Sequence, residues 1–207
     1  MTYWYSSAPL VAILLLFVGG ATIACGSTAP ETVHYRLDVQ PRSVEDTSTQ
    51  RPVMGIEHFT VDAAYDDTQI VYRRSPYRLD YYFYHRWASM PGQLITDTLR
   101  RGYQQTGRFH AVTTDQIART DVVLSGHVAA IEEVDISEEE WIGRIVLELR
   151  LRDAATGTLL WSGVVEEEEP LDERSPSGLA QAVSEAVTRI VDATGERFAN
   201  LAIQAGR

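Results

Sequence analysis

Lysine is absent from this 207-residue chain: all 18 basic residues are arginine. Set against 29 acidic residues they leave a formal net charge of −11. That balance excludes a general nucleic-acid binder, which presents a basic surface. Two origins fit an arginine-only set. One is GC-rich coding, and the other is a high-salt habitat where an acidic surface stays hydrated and its self-repulsion is screened. Cysteine is nearly as scarce. Cys25 is the only one, so no intramolecular disulfide can form and burial of apolar surface must supply the stability. Charged side chains are missing from the whole N-terminal stretch, the first being Glu31.

That charge-free stretch contains Leu10 to Val18, LVAILLLFV, followed by small residues up to Ala24 and then Cys25. An apolar core of this length before a small-residue cleavage site is a secretory signal. A cleavage site that ends on a thiol has the arrangement of a bacterial lipobox, with Thr22 where leucine is more usual. The expectation is a leader over 1–24, acylation at Cys25, a tether over 25–32 and one folded domain over 33–207. Ser6 to Ala24 also reaches the minimum length of a retained membrane anchor, and a buried core helix is the third alternative. The tether spans at most ~28 Å, which holds the domain close to its membrane.

Catalytic constellations are lacking too. The five histidines, His34, His58, His85, His110 and His127, are scattered without metal-ligand spacing. No nucleophile elbow, P-loop or dinucleotide fingerprint occurs, and acylation would consume the single thiol. We therefore expect no enzyme, no metal and no cofactor. The acidic run Glu166 to Glu169 has no EF-hand spacing and reads as a solvated strand end and loop.

What is present is a series of periodic segments. Val33 to Val39 alternates as a half-buried strand. Val53 to Ala63, Thr68 to Arg74 and Tyr77 to Tyr84 follow, the last two joined by a Ser75-Pro76 turn. Leu94, Ile95, Leu99 and Tyr103 recur at helical spacing after Pro91 until Gly107 ends the helix. After a short strand at Phe109 to Val112, the segments Asp121–Ile136, Trp141–Arg152 and Thr158–Glu167 read as a three-stranded meander. In the middle one Ile145, Leu147, Leu149 and Leu151 alternate with Arg144, Val146, Glu148 and Arg150, the latter set forming a wet face. Ser175 caps a long terminal helix with an apolar stripe from Leu179 to Ala202, a Glu185–Arg189 pair on its wet side, and Gly195 as a kink or early stop. The fold class is α+β: a mainly antiparallel or mixed sheet with two helices packed on one face, in a single domain.

One segment differs from the rest. Between Arg73 and Trp87 stand Arg73, Arg74, Arg78 and Arg86 among Tyr77, Tyr81, Tyr82, Phe83, Tyr84 and Trp87. Guanidinium groups stack on rings and grip phosphates, and stiff aromatics enrich interfaces. Arg73, Arg78, Tyr81, Tyr82, Arg86 and Trp87 are therefore the candidate contact with a partner or with lipid. The alternative is that alternate rings fill the core while the arginines are merely exposed.

This segment continues through a leucine-rich helix, and Ile70-Val71, Arg73, Leu79, Arg86-Trp87-Ala88, Leu94 and Leu99 match a pattern. On these residues, and on the Tyr35-x-Leu37 start, the chain resembles the ABC-type transport auxiliary lipoproteins, which include the lipoprotein of the paraquat-inducible operon. Where that family often carries an acidic residue before Arg-Trp, this chain has His85. The resemblance implies a non-catalytic envelope lipoprotein serving an ABC system with MCE-domain proteins, which moves lipid between the two membranes. Implied partners are an MCE-domain protein and the ABC permease and ATPase, with a membrane reached through the acyl anchor. Gly26 after the cysteine, in place of the aspartate of inner-membrane retention, favours the outer membrane with the domain facing the periplasm. A lipid-binding carrier and a ring-forming homo-oligomer are the other two readings.

Overall fold

The alternating segments of the chain form a sheet, and the two 3.6-periodic segments lie on one side of it. The computed structural model describes residues 1–2, 30–44, 50–115 and 118–206. Residues from Glu31 onward form one unit. Met1–Pro30 is a separate unit, almost all of it outside the described residues, as are the leader and Cys25. Among the described residues, nine strands and two helices follow in the order β1 (Val33–Tyr35), β2 (Val53–Ile56), β3 (Thr60–Val61), β4 (Gln69–Ser75), β5 (Arg78–Trp87), α1 (Pro91–Gln105), β6 (Ala111–Thr113), β7 (Val122–Asp135), β8 (Trp141–Asp153), β9 (Leu159–Pro170) and α2 (Pro176–Ala205). Neither helix is long and apolar enough to cross a membrane.

The sheet is mixed. The meander β7–β8–β9 and the β4–β5 hairpin are antiparallel, while β1 on β5, β2 on β6, and β2, β3 and β4 on β7 are parallel. Strand β7 is the organiser, with β8 along one side and β2, β3 and β4 in succession along the other. The expected strand over 53–63 is interrupted because Phe59 turns into the core, where it is fully buried. Its N–H is taken by Thr96 Oγ1 of α1 at 3.0 Å.

Helix α1 ends at Gly107, whose φ of +73° is the left-handed conformation that glycine adopts at low cost. The helices meet closely at Gly102, where a β-carbon would stand 2.9 Å from Val191. Ser175 caps α2 through Gly178 N at 3.1 Å. Gly195 does not end that helix, which runs on to Ala205. Phe198 and Ala202 beyond it are still buried, and their burial offsets the ~1 kcal/mol a helical glycine costs. In the stripe Leu179, Val183, Val187, Ile190 and Val191 are each 0–1% exposed, so the space between sheet and helices is filled.

The first strand is shorter than its alternation predicts. Pairing stops at Tyr35, yet Leu37 and Val39 remain buried. The backbone N–H groups of Asp38, Gln40 and Arg42 instead reach Ser184 Oγ (3.1 Å), Thr188 Oγ1 (3.2 Å) and Asp192 Oδ1 (2.9 Å) on α2. Two extended residues advance ~6.6 Å and four helical residues ~6.0 Å, so strand period and helix period match.

Candidate functional site

The arginine and aromatic segment forms β4, a tight turn and β5, and alternation divides its side chains between the two faces of the sheet. On the face away from the helices, Arg73 Nη2 lies 2.9 Å from Glu132 Oε1. Glu132 is fully buried and also accepts from Arg144 Nη1 (2.8 Å) and the Tyr65 hydroxyl (2.8 Å). Burial and the adjacent Glu132 charge raise the Tyr65 hydroxyl well above its usual value, so it stays a donor. Arg144 reaches on to Glu166 (2.6 Å) and Glu168 (3.5 Å). The strand face expected to be wet is therefore partly closed: the Arg144 side chain is 22% exposed and Val146 8%.

On the helix face, the Tyr82 hydroxyl donates to Glu133 Oε1 at 2.9 Å, and its ring packs on Tyr72 and His85 at 4.9 and 5.7 Å. Glu133 is fully buried, and its Oε2 has no hydrogen-bond partner among the described residues. Burial foremost, and the nearby Asp135 carboxylate, push its carboxyl up to about 7, against the lowering pull of Tyr82 and Arg74. Asp135 lies two residues along the same face, bonded by Arg74 Nε at 3.3 Å.

The acidic run is divided by the same alternation. Glu166 and Glu168 bind Arg144, while Glu167 and Glu169 face α2 and bind Arg189, the former at 2.8 Å. The run is therefore an ion-paired strand rather than a solvated loop. Arg189 bonds across to β9 and not to Glu185, whose carboxylate takes Gln181 instead. His127 meets Thr60 Oγ1 at 2.8 Å within the sheet.

Of the six residues singled out, Trp87 is 1% exposed and belongs to the core. Tyr82 and Arg73 are anchored as described. Arg86 bonds Thr68 at 2.9 Å and Asp67 at 3.3 Å. Arg78 and Tyr81 are exposed, Arg78 pairing with Asp80 at 2.9 Å and Tyr81 donating weakly to Ala64 O at 3.3 Å. Tyr77, Phe83 and Tyr84, which the candidate set omitted, are exposed as well. Alternation sends Tyr82 to the helix face and leaves Tyr81 and Phe83 outside, and Tyr84, in the stretch where β5 pairs irregularly with Gln69–Val71, is exposed as well.

The model of a family described as the ABC-type transport auxiliary lipoprotein component matches residues 35–194. A crystal structure of a Xanthomonas campestris protein superposes with a TM-score of 0.74 at 18% identity, covering 84% of this chain and 99% of that one. A second crystal structure, of an uncharacterized protein, gives 0.60 at 15% identity over 84% and 99%. At these identities the likeness is one of fold. No curated protein gives a significant match.

Proposed function

Because the chain belongs to the ABC-type transport auxiliary lipoprotein family, we propose that it is a non-catalytic accessory of an MCE-type ABC system that moves lipid between the inner and outer membranes. In this reading residues 1–24 are removed, Cys25 carries the acyl chains, 25–32 is the tether and 33–207 is the working domain. Each buried acyl CH₂ contributes about 0.8 kcal/mol, so more than one chain holds the protein stably. The domain faces the periplasm from the outer membrane and meets an MCE-domain protein together with the permease and ATPase. Self-association of the domain belongs to the same proposal.

The observation that carries the reading is the family match, which runs from the end of β1 into α2 and so spans most of the domain. It is supported by a surface whose exposed aromatics lie on an open sheet edge instead of lining a cleft. A carrier would need room for an acyl chain between sheet and helices, and that room is filled by the α2 stripe.

Two measurements test it. Mass spectrometry of the mature protein is expected to show a chain beginning at an acylated Cys25; an intact Met1 or a free thiol overturns the anchor. Detergent extraction of membranes is expected to co-purify an MCE-domain protein with this chain, and failure in both pull-down directions overturns that partnership.

A further inference from the structure

Among the described residues, strand β5 is paired on its outer side only by β1, at His85 to Trp87. Residues 78–84 have no outer strand among the described residues, and aromatic rings crowd this bare edge. Tyr77 is 97% exposed, Phe83 79%, Tyr84 44% and Tyr81 41%. Open edges are normally protected by uncompensated charge or proline. Here the charges are balanced, Arg78 by Asp80, Arg86 by Asp67 and Arg74 by Asp135. In a chain of net charge −11 this strip combines apolar rings with local neutrality.

Its position relative to the chain start matters equally. β1 runs parallel to β5 with Val33 beside His85, so the N-terminal end of β1 lies toward Tyr84 and Arg78. Val33 is eight residue steps from Cys25, a reach of at most ~28 Å. From His85 back to Arg78 is ~23 Å along the strand. A membrane holding Cys25 is therefore within the same reach as the ring-bearing edge.

We propose that this edge is a second contact with that membrane, resting on the reading of Cys25 as acylated. The Tyr77, Tyr81, Phe83 and Tyr84 rings lie at the headgroup level of a phospholipid surface, with Arg78 beside the phosphates. Tyrosine suits this boundary because its ring is apolar and its hydroxyl is wet. The opposite edge, β9, also exposes Leu159 and Val164, at 54% and 67%, but continues into Glu166–Glu169, four carboxylates that share only Arg144 and Arg189 and keep a net negative charge that phosphate repels.

Cys25 is the only cysteine, and acylation blocks its sulfur, so one introduced thiol can be labelled uniquely. The full chain, purified from membranes as Tyr77→Cys, Phe83→Cys or Leu159→Cys, is labelled with an environment-sensitive fluorophore. It is then reconstituted into phosphatidylethanolamine–phosphatidylglycerol vesicles containing brominated lipid. The expected result is a blue-shifted emission and at least threefold stronger quenching at positions 77 and 83 than at 159. Equal quenching at all three positions on vesicle-bound protein overturns the edge contact and leaves the acyl anchor standing. Shielding at 77 and 83 that needs an added MCE-domain protein overturns it too, in favour of a partner strand. A parent chain that takes up label at Cys25, or fails to sediment with vesicles, overturns the acyl reading and this proposal with it.

Discussion

Glu132 and Glu133 are neighbours on β7, each with 0% of its surface exposed, and they live in opposite chemistry. Glu132 points away from the helices into two guanidinium groups and a tyrosine hydroxyl. Glu133 points toward the helix side, with one tyrosine donor, one oxygen without a partner among the described residues, and Asp135 beside it. Removing a carboxylate from water costs several kcal/mol, and only well-placed partners offset it. The first site meets that cost with charge. The second meets it by favouring the protonated acid, which is why its carboxyl lies at about 7. Burial alone therefore does not decide what a carboxylate contributes; the face it occupies does.

The comparison breaks most severely at Glu132. Replacing it with alanine strips the partly buried Arg73 of its carboxylate and leaves Arg144 with only Glu166 and Glu168, and should cost about 3–5 kcal/mol in urea unfolding at pH 7. A loss below ~1 kcal/mol would mean the cluster is effectively solvated. Next come the two tyrosine donors. Tyr82→Phe should cost about 1.5–3 kcal/mol at pH 8, where Glu133 is ionised, and less at pH 5. Tyr65→Phe leaves Glu132 with both arginines, so its loss should be smaller than that of Tyr82→Phe at pH 8. Chemical denaturation at the two pH values separates them.

Smaller effects sharpen the contrast. The folded-state value of Glu133 is raised, from the ordinary 4.5 to about 7. The folded protein therefore holds a proton that the unfolded chain gives up in that interval. The stability this group contributes is full below pH 4.5 and is lost as pH rises through 7. Glu133→Gln removes the dependence, so the variant's melting temperature should gain on the parent's by about 5–10 °C between pH 5 and 8. A constant offset would show that Glu133 does not titrate there. The smallest effect belongs to Asp135→Asn, which removes one negative neighbour and should lower the Glu133 midpoint from about 7 toward the usual carboxylate range in a carbon-13 carboxyl titration. An unchanged midpoint would leave burial as the whole cause.

Much of the architecture was legible because its signals are local. Period 2 in Ile145, Leu147, Leu149 and Leu151 marked β8, and the period 3.6 of Leu179 to Ala202 marked α2. Pro91, Gly107 and Ser175 marked helix ends. The candidate site was legible as a segment and not as a surface. Composition placed rings and arginines between Arg73 and Trp87, yet Trp87 went to the core and Tyr82 to Glu133, while Phe83 and Tyr77 stayed outside. Arginine partners were the least legible. Arg189 has Glu185 at i+4 spacing, but the β9 carboxylates lie across from it only once the strand packs under α2.

The sequence by itself determined the kinds of element, their order, the family segment and the expectation of a thiol anchor, because each depends on residues close together in the chain. The faces were decided by tertiary structure. Val128 opposes Leu147 and Ala130 opposes Val146, so Ala129 is an extra residue, a bulge in β7. Beyond it every side chain changes face. That single insertion turns Glu132 toward the arginines and Glu133 toward Tyr82, and no local pattern in two adjacent glutamates distinguishes them. Their difference arises from which strands lie beside β7, a property of contacts between distant residues.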